Sequence, residues 1–176
     1  MIDKPSPNKS PRRGFKPSLI IIHGDAGSTD AGTVEWVCNP KSKVSYHFLI
    51  GRDGKVYQFV KESEKAWHAG DSKFHGEEVE GSVNPISLGV CFANNGKGDE
   101  FYTTEQYTVG AELVARLCRT FGIPLHRVRG HFEVSPGRKT DPWPWFNWRT
   151  FYLWFSYFSA DRQDAADWER WADFGT

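Results

Sequence analysis

The sequence has no surplus of charge, few cysteines and no long apolar run. Its 22 basic and 22 acidic side chains balance, so no overall electrostatic field favours nucleic acid or an anionic membrane as a partner. The three cysteines, an odd number, all lie in apolar or periodic stretches, which favours reduced, buried thiols over a disulfide framework. No segment approaches the roughly 18 consecutive apolar residues of a membrane span. We therefore expect no nucleic-acid partner and no stable membrane insertion.

The first 17 residues lack the apolar run of a Sec signal peptide, which predicts a cytoplasmic protein. They are rich in Pro, Ser, Lys and Arg, a composition typical of a flexible basic arm. The chain has no internal repeats, and its 176 residues fit one domain better than two. We expect a monomer whose single domain spans residues 18–148, between this arm at 1–17 and a tail at 149–176.

Three apolar stretches predict strands of a buried sheet. Residues 18–23, "SLIIIH", are continuous and β-branched, as in a strand covered on both faces, and residues 86–93 predict another core strand. Residues 44–60 predict a β-hairpin around the turn "GRDG". Alternation within the first strand of this hairpin places Tyr46 on the same face as Phe48.

Residues 103–121 carry the strongest helix signal. Thr103 and Gln106 match a capping box, apolar side chains then recur at helical spacing, and Gly122 with Pro124 ends the pattern. Strands interleaved with helices predict an α/β fold, a single domain with one central mixed β-sheet flanked by helices.

The C-terminal tail, residues 149–176, is unusually aromatic. Trp148, Phe151 and Phe155 recur at helical spacing, but large rings also cover the other faces. A helix that is apolar all round is usually buried, so we expect it to pack on the domain. An oligomer interface or an envelope-contacting surface is the alternative. A second, more acidic helix is predicted to begin after Ser159.

Two histidines stand at the ends of predicted strands. His23 ends the first strand, and a further short strand in "HRVRGH", residues 126–131, leads to His131, so both histidines border the crevice in which α/β sheets bind ligands. Asp141 lies ten residues beyond His131, on backbone that prolines and a glycine keep out of a helix. Two imidazoles and a carboxylate leave tetrahedral Zn²⁺ one open position, the pattern of a catalytic zinc. Spacing alone leaves open that both histidines are ordinary strand-end residues satisfied by hydrogen bonds.

Three further side chains are candidates for the same crevice. Lys139, two residues before Asp141, projects towards it on extended backbone and suits stabilisation of an oxyanion. Tyr46 is a candidate to hold or deprotonate a water, and His68, in the segment "WHAG", to bind substrate. Each has an ordinary alternative: a solvated lysine, a core tyrosine and an exposed loop histidine.

Five separate motifs, in the same order, resemble the zinc-dependent N-acetylmuramoyl-L-alanine amidases. This family includes phage endolysins, bacterial recycling amidases and peptidoglycan-recognition domains, and the resemblance covers residues 18–148. The motifs are "IIIH" at 20–23, "VSYHFLIGRDGKVYQ" at 44–58, "AWHAG" at 66–70, "NPISLGVCFANNG" at 84–96 and "GHFEVSPGRKTDP" at 130–142.

The resemblance assigns roles to individual residues. It implies that His23, His131 and Asp141 bind Zn²⁺. It also implies that Tyr46 is the catalytic tyrosine of the phage enzymes and that Lys139 faces the substrate carbonyl. The implied cofactor is therefore zinc, and the implied partner is peptidoglycan.

Other positions bear on the substrate. Trp67 and His68 match the family's groove segment and are expected to bind substrate. Recycling amidases carry a catalytic glutamate where this chain has Cys91, so the resemblance favours the phage endolysins, with Tyr46 activating the water. Trp143 stands where the family usually has glycine, and we expect its ring to reshape the peptide-side groove.

The expected activity is hydrolysis of the amide between N-acetylmuramic acid and L-alanine in peptidoglycan, by a phage endolysin that lyses the host cell. Two alternatives remain. One is a cytoplasmic recycling amidase that acts on small muropeptides. The other is a non-catalytic peptidoglycan-binding module, which is disfavoured because such relatives typically lack a zinc ligand.

Overall fold

A six-stranded mixed sheet forms the centre of the computed structural model, which describes residues 1–77, 79, 81–142 and 145–159. The strands are β1 (Ile2–Asp3), β2 (Lys9–Pro11), β3 (Leu19–Gly24), β4 (Phe48–Ile50), β5 (Val56–Gln58), β6 (Glu64–Ala66), β7 (Ser87–Phe92) and β8 (Val128–Gly130). The sheet order is β1-β5-β4-β7-β3-β8, and β2 pairs separately with β6. β3 runs parallel to both β7 and β8.

Helices cover both faces of this sheet. They are α1 (Asp30–Cys38), α2 (Thr104–Phe121), the single turn α3 (His131–Val134) and α4 (Trp148–Phe158). The predicted capping box of α2 is present, and Gly122 ends the helix in the left-handed conformation. The α/β prediction of one mixed sheet flanked by helices is confirmed. Within the described residues, no helix is both long and apolar enough to cross a membrane.

The large hydrophobic core lies between the sheet and α2. Ile20 and Ile22 of β3 face this core, whereas Leu19 and Ile21 face a smaller cluster on the opposite side. The backbone of α2 approaches the sheet closely at Gly110, where a Cβ would lie 2.3 Å from the ring of Phe92. The alternation of β3 places the next side chain, His23, on the face away from α2.

The hairpin forms, but its first strand is shorter than predicted. The antiparallel pairing of β4 with β5 begins at Phe48. Phe48 and Ile50 lie in the large core, while Tyr46 packs with Leu49 against the cluster on the other side. The prediction that Tyr46 shares a face with Phe48 is therefore wrong. Strict alternation does not hold at Tyr46, which precedes the paired strand.

Residues 2–12 do not form the flexible arm that their composition predicts. β1 pairs in parallel with β5, and β2 pairs antiparallel with β6. Ser6, Asn8 and Arg12 are buried. Composition misled here because this burial rests on hydrogen bonds from polar side chains and not on an apolar stripe.

The aromatic helix α4 packs on the domain. Phe151 and Phe155 are buried in the large core beside α2, whereas Leu153 and Tyr157 are exposed. Cys38, Cys91 and Cys118, all in the described part of the chain, form no disulfide. The predicted second tail helix and the expected effect of Trp143 both fall outside the described residues.

Asn8 provides a test of the N-terminal packing. Its side-chain amide is within 3.2 Å of four acceptors, the carbonyls of Val37, Asn39 and Val44 and the hydroxyl of Ser42. Asn8→Ala should lower the free energy of unfolding by about 2 kcal/mol, because it leaves buried acceptors unpaired. Urea denaturation measures this change.

Lys9→Ala is the matched control. Lys9 makes only a partly exposed ion pair with Glu64, and such pairs contribute little to stability. Equal losses in the two variants would contradict the buried role of Asn8.

Candidate active site and metal centre

Parallel strands bring the two strand-end histidines together. His23 lies near the end of β3, and His131 follows directly after β8, the parallel neighbour of β3. Asp141 returns to them from the loop after α3, where its carbonyl accepts a hydrogen bond from the N–H of Phe132 at 3.1 Å. His23 and His131 are almost fully buried, and Asp141 is partly exposed. The structure thus assembles the trio that the sequence predicts.

Ligand-type atoms of the trio converge on one point. The Nδ1 atoms of His23 and His131 are 3.1 Å apart. One oxygen of Asp141, Oδ2, lies 3.1 Å from the first nitrogen and 3.0 Å from the second. Within the described residues, these three side chains form a group able to hold a metal ion, with ligand atoms within 4.8 Å of one another.

The hydrogen bonding of His131 indicates whether the trio is suited to bind a cation. Its Nε2 lies 3.1 Å from the carbonyl oxygen of Ala69, which can only accept, so Nε2 carries a proton. In the tautomer with its single proton on Nε2, Nδ1 presents a lone pair to the carboxylate of Asp141. Two acceptors face each other across about 3 Å, an arrangement that a shared cation stabilises. Two imidazole nitrogens and a carboxylate oxygen match the ligands of catalytic zinc.

Two members of the trio, His131 and Asp141, line a cavity of about 720 Å³. Tyr46, His68 and Lys139 also line this cavity, as does Asp25. Tyr46 is half-buried, and its ring centroid lies 5.2 Å from that of His23. Lys139 is exposed. The hydroxyl-bearing Tyr46 and the cationic Lys139 are therefore both in the wall of this cavity.

Burial controls the charge of these groups. Desolvation lowers the pKa of His23 to about 4, which keeps its ring neutral and able to bind a metal. Burial also raises the pKa of Tyr46 well above its usual value. For Asp141, burial acts to raise the pKa, but the adjacent rings of His131 and His23 outweigh it and hold that pKa below its usual range, so the carboxyl is ionised.

The two predicted substrate-binding residues occupy different environments. His68 is buried, and both its ring nitrogens have protein partners: Nδ1 is 3.0 Å from Nε2 of His23, and Nε2 is 3.1 Å from Oγ of Ser87. Its hydrogen bonds thus leave neither nitrogen for a substrate. Trp67 is not among the residues that line the cavity. Its indole N–H donates to the hydroxyl of Ser10 at 3.0 Å.

Sequence reasoning missed Asp25 in the cavity wall. Its carboxylate accepts the N–H of Asn94 at 2.7 Å and the hydroxyl of Thr33. Burial raises its pKa. The one available signal was its position two residues after His23, since acidic residues beyond strand ends often line ligand crevices.

Arg138 was also missed. Its guanidinium donates to the carbonyls of Ala69 and Asp71, at 2.5 and 2.6 Å from Nη2. The carbonyl of Ala69 also accepts from His131. Arg138 therefore helps to fix the loop that orients a candidate ligand.

Comparison with known proteins identifies relatives of this chain. A family model described as N-acetylmuramoyl-L-alanine amidase matches residues 13–144. The chain is 33% identical over 152 residues to the 1,6-anhydro-N-acetylmuramyl-L-alanine amidase AmpD of Escherichia coli (strain K12), covering 77% of this chain and 80% of AmpD. It is 29% identical over 147 residues to the N-acetylmuramoyl-L-alanine amidase CwlH of Bacillus subtilis (strain 168), covering 78% of this chain and 54% of CwlH.

Solved structures show the same fold. A selenomethionine AmpD derivative superposes with a TM-score of 0.73 at 30% identity, covering 87% of this chain and 93% of that one. A mutant endolysin from Bacillus subtilis superposes with a TM-score of 0.67 at 28% identity, covering 88% and 97%.

Metal binding should be measurable as a gain in thermal stability. An ion that binds only the folded state, at a free concentration 100 times its Kd, adds about 2.7 kcal/mol to the free energy of unfolding. We expect zinc to raise the Tm of the metal-free protein in calorimetry. His131→Ala should abolish most of this rise because it removes one of the three ligands.

His126→Ala is the control, because His126 is exposed and lies outside the trio. It should keep the full zinc-dependent rise. An equal rise in both variants would show that zinc binds elsewhere.

Proposed function

The chain belongs to the N-acetylmuramoyl-L-alanine amidase family, and from this premise we propose that it is a zinc-dependent hydrolase. It cleaves the amide between N-acetylmuramic acid and L-alanine in peptidoglycan or its fragments. The observation that carries the proposal is the convergence of His23, His131 and Asp141 beside the cavity that Tyr46 and Lys139 line. A non-catalytic binding module is disfavoured because this set is complete.

Amide hydrolysis needs an activated water, a stabilised oxyanion and a proton for the leaving amine. His23, His131 and Asp141 would hold the zinc, which would supply a Lewis acid able to polarise the carbonyl and to make water more acidic. The remaining requirements fall to side chains that line the cavity.

We assign Tyr46 to the water and its proton. The ring lies beside His23, and burial keeps its hydroxyl protonated, so the hydroxyl can orient a water by hydrogen bonding. The same hydroxyl is suited to pass a proton to the leaving nitrogen. In the family's recycling enzymes a glutamate is expected at the position of Cys91. Here burial raises the pKa of that thiol well above its usual value, so it offers no anionic base.

We assign Lys139 to the oxyanion. Its ammonium lines the cavity on the loop that carries Asp141. A donor aimed at the developing negative charge stabilises the transition state more than the bound substrate. Its loss should therefore lower kcat more than it raises KM.

Variants of these two residues test the mechanism. Lys139→Ala should reduce kcat by about 10²- to 10³-fold, the usual effect of losing one oxyanion donor. Tyr46→Phe should also lose most activity, and both variants should retain the zinc-dependent rise in Tm. The assay is release of muropeptide products, followed by chromatography.

Lys41→Ala is the matched control, because Lys41 is exposed and does not line the cavity. Its rate should equal that of the unsubstituted enzyme. Near-normal rates in Lys139→Ala and Tyr46→Phe would mean that other groups carry the reaction.

Two substrates suit this chemistry. The absence of a carboxylate at Cys91 supports action on intact peptidoglycan, as in a phage endolysin that lyses cells. The similarity to AmpD, over about four-fifths of its length, supports a second candidate, a recycling amidase that cleaves soluble 1,6-anhydro-muropeptides.

Product analysis separates these candidates and tests the reaction itself. An endolysin should expose the N-terminal amine of L-alanine in the stem peptides of purified sacculi, whereas a recycling amidase should act mainly on soluble anhydro-muropeptide. Mass spectrometry detects the new amine, and a strong chelator should abolish its formation. New reducing sugar ends would identify a glycosidase and refute the proposal.

A further inference from the structure

We propose that Ser87 and His68 form a hydrogen-bond relay that fixes the ring tautomer of His23. The relay begins at the carbonyl of Val83 and ends at Nδ1 of His23, the atom that faces Asp141. It rests on the zinc centre proposed above and gives His68 a positioning role in place of substrate binding.

The direction of the relay is set at Ser87. Its hydroxyl donates to the carbonyl of Val83 at 2.7 Å, which uses the one proton that the hydroxyl has. The oxygen of Ser87 is 3.1 Å from Nε2 of His68. This oxygen can then only accept, so Nε2 of His68 must carry a proton.

The same reasoning extends to His23. A neutral His68 protonated on Nε2 has a lone pair on Nδ1, which lies 3.0 Å from Nε2 of His23. Nε2 of His23 therefore donates, and Nδ1 of His23 is left with a lone pair. The opposite direction would place the proton of His23 on Nδ1, where it would block the metal.

The backbone holds His68 in this position. A Cβ on Gly89 would lie 2.6 Å from Cγ of His68, so the ring occupies space that a glycine leaves open on β7. The amide oxygen of Asn84 accepts the backbone N–H groups of His68 and Ala69, at 3.2 and 2.8 Å.

Residues 83–87 thus influence both imidazole ligands. Through Ser87 and His68 they orient His23, and through Asn84 they fix the position of Ala69, whose carbonyl accepts from His131. Hydrogen-bond partners of this kind typically change metal affinity by about 10- to 100-fold.

Arg12 connects the N-terminal segment to this relay. Its guanidinium donates to the carbonyls of Pro85 and Ser87, at 2.5 and 2.9 Å. The side chain is buried, so the contact is sheltered from water. The N-terminal segment therefore supports the residues that orient the ligands.

Zinc affinity tests the relay directly. Ser87→Ala should weaken zinc binding by about 10-fold or more in competition with a chromophoric chelator, because His68 loses the acceptor that sets its tautomer. Ser6→Ala is the matched control, a buried serine that donates to the carbonyl of Val37 outside the relay. Equal zinc affinities in the two variants would overturn the proposal.

Nitrogen-15 NMR of the unsubstituted, zinc-loaded protein provides a second test, independent of how the variants fold. His68 should appear as the neutral tautomer with its proton on Nε2. A proton on Nδ1 would overturn the relay. Gly89→Ala, which displaces the ring of His68, should lower zinc affinity in the same direction as Ser87→Ala, and an unchanged affinity would contradict the positioning role.

These measurements do not depend on catalysis. A protein with the expected tautomer and zinc affinities that freed no N-terminal amine of L-alanine in any muropeptide would retain the relay and refute the proposed function. Full amidase activity with a proton on Nδ1 of His68 would refute the relay and retain the proposed function.

Discussion

Parallel pairing on both sides of β3 is the constraint on which the site depends. It aligns the end of β3 with the start of α3 after β8, so two residues 108 positions apart in the chain come within 3.1 Å. Ile20 and Ile22 pack in the large core and so fix the register of β3, while the opposite face of the same strand carries His23. The apolar side chains of β3 therefore position a polar group that contributes nothing to that core.

The environment of the site combines burial with hydrogen bonds to the ring nitrogens that point away from the trio. Buried polar groups are costly unless paired, and here each imidazole nitrogen that points away from the trio has a partner: His68 for His23, and the carbonyl of Ala69 for His131. Desolvation keeps the ring of His23 neutral, and the hydrogen-bond partners determine which nitrogen of each ring remains open. The hydrogen bonds that satisfy these buried rings also leave one nitrogen of each ring able to bind a metal.

Several features could be predicted from the sequence because they depend on local patterns. The buried strand ending at His23, the capped helix α2 and the metal-type trio all follow from apolar runs, capping residues and motif order. Contacts between distant polar groups could not be predicted. No periodicity marks Asn8 as buried, and nothing within "WHAG" shows that His68 meets both His23 and Ser87. The face of Tyr46 was mispredicted because alternation was extended beyond the paired residues of β4.

The burial of Arg12 affects how the boundary of this domain is drawn. The family match starts at residue 13, immediately after a side chain that donates to the backbone of residues 84–87. A chimaera joined at residue 13 would retain every candidate ligand. Its β1, its β2 and the residue at position 12 would, however, come from another protein. Exchange of catalytic units among cell-wall hydrolases should therefore use a junction upstream of β1, so that the paired N-terminal segment stays with the domain it supports.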